Sequence, residues 1–67
     1  MYTIQIVDSN GASPFYFESE SEYKEIINLL KNTCAGQGIQ KDKSHFIFRA
    51  YSDEARIKVA NFHTNFK

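Results

Sequence analysis

Three side chains in this sequence could act as soft metal ligands or as members of a nucleophilic pair: Cys34, His45 and His63. Tetrahedral metal sites are built from close pairs such as CxxC or HxxxH, which hold two ligands on one turn, and no such pair is present. A reactive thiol needs a depressed pKa, favoured at a helix N-terminus or beside a cation. Cys34 instead follows the segment that reads as a helix, where the dipole opposes a thiolate. The spacing predicts no metal site: Cys34 reads as a small core residue and the two histidines as surface strand residues. Glu18, Glu20, Glu22 and Glu25 crowd together, but paired carboxylates do acid–base work only when burial shifts a pKa, and these four read as a solvated helix start. The GQG of residues 36–38 follows a helix instead of preceding one and lacks the GxxxxGK[ST] or GxGxxG pattern that cradles phosphate. The expectation is a protein that is not an enzyme and carries no cofactor.

Binding chemistry is better represented. Tyr16, His45, Arg49, Tyr51, Arg56 and Lys58 interleave aromatic and basic types at alternating strand positions, which would place them on one face of a sheet. Such a surface suits a protein partner, because Tyr, Phe and Arg offer desolvatable area with little side-chain entropy to lose. It also suits single-stranded nucleic acid, whose bases stack on aromatics between phosphate-binding cations. The run KSHFIFRAY resembles the aromatic central strand of RNA-recognition motifs, without that signature's glycine and without that fold's second helix. Zero formal net charge counts against phosphate recognition.

The elements that must position these residues are organised around Ser19 to Gly36. Tyr23, Ile26, Ile27, Leu30 and Cys34 fall on one helical stripe, and Glu22, Glu25, Asn28 and Asn32 on the wetter side. Ser19 followed by Glu22 is a capping-box pattern, and Gly36 and Gly38 would supply the stop. Tyr2 to Val7 alternates as a half-buried strand, and so does Pro14 to Glu18. Asn10-Gly11 between them predicts a hairpin with a type I′ turn, in a loop somewhat longer than two residues. Residues 36–44 read as a loop. His45 to Tyr51 reads as the central strand, with Phe46, Phe48 and Ala50 inward and His45, Ile47, Arg49 and Tyr51 outward. After Ser52-Asp53-Glu54 two readings stand. As a strand, Ile57 and Val59 face the core. As a helix capped by Ser52, Ala55, Val59, Phe62 and Phe66 form a stripe and Ile57 is left outside. The β-branched residues and the short connection favour the strand. The expected fold is a single α+β domain of residues 1–67, a β-β-α-β-β chain whose antiparallel sheet is covered on one face by the helix of residues 20–34. The other face would present Val7, Tyr16, Ile47, Tyr51, Ala60 and Phe62 among the charges.

Sixty-seven residues, 42% hydrophobic, with six Phe and four Tyr, suffice for one small core. At this size a core alone supplies only ~3–5 kcal/mol, so a homodimer interface or a bound partner would help. Residues 1–33 carry five acidic and two basic side chains and residues 34–67 three acidic and six basic, so charges of −3 and +3 hide within the zero total. One cysteine and no membrane-length apolar run predict a cytoplasmic protein without a membrane partner. In size and type alone the chain resembles the inhibitors and host-takeover factors of bacteriophages and mobile elements, anti-CRISPR proteins among them. That resemblance implies a small protein-binding module that acts as an inhibitor. The alternatives are a single-stranded nucleic-acid-binding module and a homodimeric structural or accessory protein.

Overall fold

Alternation decides the first hairpin. In the computed structural model, which describes residues 1–65 (Thr64 and Asn65 by backbone only), β1 (Tyr2–Asp8) buries Ile4 and Ile6 and pairs antiparallel with β2 (Gly11–Phe17), which buries Phe17. Asp8 pairs with Gly11, so the turn is only Ser9 and Asn10, shorter than the sequence suggested. It is not type I′ either: Gly11 alone has a positive φ, +106°, and Asn10 does not. Asp8 Oδ1 accepts the Asn10 N–H at 2.9 Å, fastening the turn from its first residue.

The helix α1 (Glu20–Thr33) follows its stripe. Ser19 stands at the N-cap in extended conformation and its Oγ accepts the Glu22 N–H at 3.4 Å. Tyr23, Ile26, Ile27 and Leu30 are buried. The stop differs from expectation. Cys34 is already extended, at φ −125° and ψ 139°, and its N–H closes on the Leu30 carbonyl at 3.0 Å; neither Gly36 nor Gly38 adopts the left-handed conformation of a helix stop.

Those glycines belong to a strand, which corrects the loop reading of residues 36–44. β3 (Gly36–Asp42) pairs antiparallel with β4 (His45–Ala50). Glycine weakens a strand on its own, but here its missing side chain is the reason the strand fits. A Cβ on Gly38 would overlap the Phe46 ring, and one on Gly36 would meet Phe48 Cε2 at 2.7 Å. The two rings lie 6.5 Å apart, tilted only 25°, over the bare backbone of β3. Aromatic cover of edge glycines compensates for their low strand preference. A bulge between Gln40 and Asp42 then ends the regular pairing.

The last segment is the helix α2 (Glu54–Asn65), so the favoured strand reading gives way to the helical one. Ser52 Oγ accepts the Glu54 N–H at 3.3 Å, Ala55 and Val59 are buried, and Ile57 is left exposed. The stripe of small and apolar residues outweighs the β preference of Ile57 and Val59, because it is the only arrangement that covers the sheet next to α1. Phe66, assigned to that stripe, lies outside the described residues.

The sheet order is β2-β1-β4-β3, with β1 parallel to β4, so the sheet is mixed and not wholly antiparallel. Its centre is β1 and β4, as the β-rich run 45–51 indicated. Both helices pack on one face, where Ile4, Ile6, Phe17, Phe46 and Phe48 join the α1 residues and Ala55 and Val59 in one buried cluster. The architecture is a two-layer α+β domain, and the second sheet face is left open. Among the described residues, no helix is long and apolar enough to cross a membrane.

Candidate functional site: the open sheet face

Register places the open-face residues in three rows. Tyr16, Thr3, His45 and Asp42 form the first; Pro14, Gln5, Ile47 and Ile39 the second; Ala12, Val7, Arg49 and Gln37 the third. Asp42, beyond the bulge of β3, is the one carboxylate at these register positions, and it stands in the row farthest from Arg49. Tyr16 and Ile39, 53% and 54% exposed, mark opposite sides of the surface, with half-buried Ile47 and Val7 between. Arg49 is exposed and makes no ion pair among the described residues. Apolar area surrounding one available guanidinium is a pattern of interface cores.

Three of the six residues singled out by sequence share this face: Tyr16, His45 and Arg49. His45 is half-buried, and its Nε2 is shut off from solvent with no hydrogen-bond partner among the described residues. Tyr51 lies beyond the end of β4, 76% exposed, its N–H bonded to the Ala35 carbonyl at 3.3 Å. Arg56 and Lys58 do not join the face at all. With residues 54–65 helical they sit in the layer behind the sheet, and so do Ala60 and Phe62. There Arg56 contacts Asp8 and Asp53, and Lys58 contacts Glu54.

One corner is shaped by residues that sequence reasoning passed over. Asp42 Oδ1 accepts from Ser44 N–H at 2.8 Å and Ser44 Oγ at 3.0 Å, and these two bonds, with smaller help from nearby His45 and Lys41, hold its carboxyl below the usual Asp range. Gln40 donates to the Tyr23 hydroxyl at 2.7 Å and to the Asp42 carbonyl, tying the bulge to α1. The spacing D-x-S at 42–44 is an Asx-turn signal that was available in the sequence; the reach of Gln40 to Tyr23 was not. On the helical side, Glu20, Tyr23, Lys24, Ile27, Asn28, Gln40 and Lys43 line a shallow groove between α1 and β3.

Cys34 ends α1, His45 begins β4 and His63 lies near the end of α2, so the three soft ligands are held by three different elements. Among the described residues no three His, Cys, Asp or Glu side chains converge. The likeness of KSHFIFRAY to an RNA-binding strand also takes a different form in three dimensions. A second helix is present, but Phe46 and Phe48 point into the core under α1, whereas base-stacking aromatics must stand on the open face. No family model, no curated protein and no solved structure matches this chain.

Proposed function

We propose that this protein works by binding another protein through the open face of its sheet, occupying its target's own binding surface in the manner of a small inhibitor. The observation that supports this is the composition of the uncovered face. Tyr16, Ile39, Ile47 and Val7 share the face with Arg49, which makes no ion pair among the described residues, and the one carboxylate at these register positions, Asp42, lies two rows from Arg49 and is bonded to Ser44. A rigid sheet presenting one aromatic and one guanidinium loses little conformational entropy on docking, so modest area yields useful affinity. The complementary target surface is apolar with an acidic group placed to meet Arg49.

The nucleic-acid alternative keeps Tyr16 and Arg49 but loses Arg56 and Lys58 to the helical layer, and with them most of the cation track that a phosphate backbone needs. The test is capture from the lysate of the native host by tagged protein, with and without nuclease, repeated with Tyr16→Ala, Arg49→Glu and Tyr51→Ala. A partner that survives nuclease and is lost in the Tyr16 and Arg49 variants, with their melting temperatures unchanged, supports the reading. Full recovery of the same partner by both variants removes the face from consideration. A partner lost on nuclease treatment, with steep salt dependence, transfers the function to nucleic acid.

A further inference from the structure

The two edges of the sheet are treated differently, and the difference points to a second copy of this chain, an interaction separate from the open-face reading. In an antiparallel pair, alternate residues direct N–H and C=O toward the neighbour and the rest direct them outward. Asp8 and Gly11 close the first hairpin, so on β2 the outward residues are Ala12, Pro14 and Tyr16. Pro14 has no N–H to offer, and the Tyr16 carbonyl is taken by His63 Nε2 at 3.0 Å. That edge is blunted by the devices that protect sheets from unwanted pairing. On the other side, the Tyr51 N–H bonds the Ala35 carbonyl, which sets the phase of the β3–β4 ladder. Ala35, Gln37 and Ile39 then face β4, and the outward groups of β3 are those of Gly36, Gly38 and Gln40. Two of the three have no side chain, and nothing among the described residues bonds to the outward backbone groups of any of them.

We infer that two copies of this protein join edge to edge through β3, antiparallel about a two-fold axis at Gly38, making one continuous eight-stranded sheet. This register alone uses every outward group: Gly38 faces its own symmetry mate and Gly36 faces Gln40, giving three hydrogen-bonded pairs. Shifting the axis to Gln37 or Ile39 leaves two such pairs, because α1 ends just before the strand and the bulge at Gln40–Asp42 ends it. The side chains agree. On the open face Gln37 stands opposite Ile39, so no like charges oppose one another within the paired positions. Closed two-fold symmetry satisfies both edges at once and leaves no free strand to propagate.

Sedimentation equilibrium on the whole chain tests the association. The weight-average mass is expected to rise from 7.8 kDa toward twice that value, over a range of roughly 10 µM to 1 mM, as a pairing of few bonds requires. A chain that stays at 7.8 kDa throughout overturns the proposal, and the same uncapped groups would then fit an extended segment of a different protein. Chemical synthesis, with the ligation junction at Thr33–Cys34, allows Gly38→sarcosine, which replaces the outward N–H by a methyl group without touching the groups that face β4. This variant should melt as the parent does at low concentration and remain monomeric at least tenfold higher; dimerisation equal to the parent's overturns the proposal. Register is read separately in a Cys34→Ser background. Gln37→Cys with Ile39→Cys should oxidise to a disulfide-linked dimer, since a non-hydrogen-bonded pair brings Cβ atoms within bridging distance. Absence of that dimer, or equal cross-linking by Ile39→Cys alone, overturns the register.

Discussion

Arg56 in α2 meets Asp8 at the end of β1, Nε to Oδ2 at 3.3 Å, across 48 positions of sequence. The Asp8 side chain is fully out of solvent while that of Arg56 is 30% exposed, and the second carboxylate oxygen holds the Asn10 N–H. One carboxylate thus fixes both the first turn and the second helix. Arg56→Met should cost about 1–3 kcal/mol, below the ~3–5 kcal/mol of a fully buried pair because Arg56 is partly wet. Asp8→Asn should cost less, since the amide oxygen still serves Asn10. Urea unfolding of the two single variants and the double variant measures the coupling; strict additivity would show that the contact contributes nothing.

Gly38→Ala and Gly36→Ala should each destabilise by about 1–3 kcal/mol, the usual penalty for forcing volume into a packed site. The cause is the Phe46 ring at Gly38 and the Arg49 carbonyl together with the Phe48 ring at Gly36, so Phe46→Leu should recover part of the Gly38→Ala loss although Phe46→Leu is itself harmful. Gly11→Ala differs in mechanism. Nothing lies within 4 Å of its Cβ position, and any loss there, of about 1 kcal/mol, comes from its φ of +106°. Thermal melts of the four single variants and of the Gly38→Ala/Phe46→Leu double variant separate the two mechanisms.

Leu30 is wholly buried in the last turn of α1, and Leu30→Ala should cost ~2–5 kcal/mol, a large share of the stability of so small a domain. A melting temperature within a degree or two of the parent would take Leu30 out of the core.

The carboxyl of Asp42 should titrate below the ordinary value of ~3.9, followed by its NMR chemical shift together with the Ser44 amide. Because the folded value is the lower one, the contribution of this turn is complete above the unfolded value and fades as pH falls through the folded value. Asp42→Asn should abolish the Ser44 titration and speed exchange of the Ser44 amide. A Ser44 amide that is insensitive to acid in the parent would dissolve the link.

The elements that were legible from sequence are those whose pattern is self-sufficient. α1 has a cap at Ser19 and a stripe from Tyr23 to Leu30, and β1 and β4 alternate cleanly. β3 was hidden because its reason lies elsewhere: GQG has no strand signal until Phe46 and Phe48 are known to lie across it. α2 was ambiguous because Ile57 and Val59 fit a strand locally, and only the need to cover Phe15 and Phe17 beside α1 decides between the readings. That decision also divided the candidate site. Tyr16, His45 and Arg49 kept their common face because strand parity fixes it, whereas Arg56 and Lys58 moved with the segment that changed type.

The parallel pairing of β1 with β4 bears on how the chain can be made. Ile4 lies beside Phe46 and Ile6 beside Phe48, so the centre of the sheet joins β1 to β4 across some forty residues of chain. A chain emerging from synthesis can form the hairpin of residues 2–17 and lay α1 on it, with Tyr2 against Tyr23, but Phe46 and Phe48, the rest of the floor under α1, are missing until β4 arrives. Such a molecule has no stable half. Folding of this domain waits for β4 and α2, the early hairpin stays exposed in the interval, and a cut anywhere between β1 and Ala55 leaves a fragment with an unroofed core.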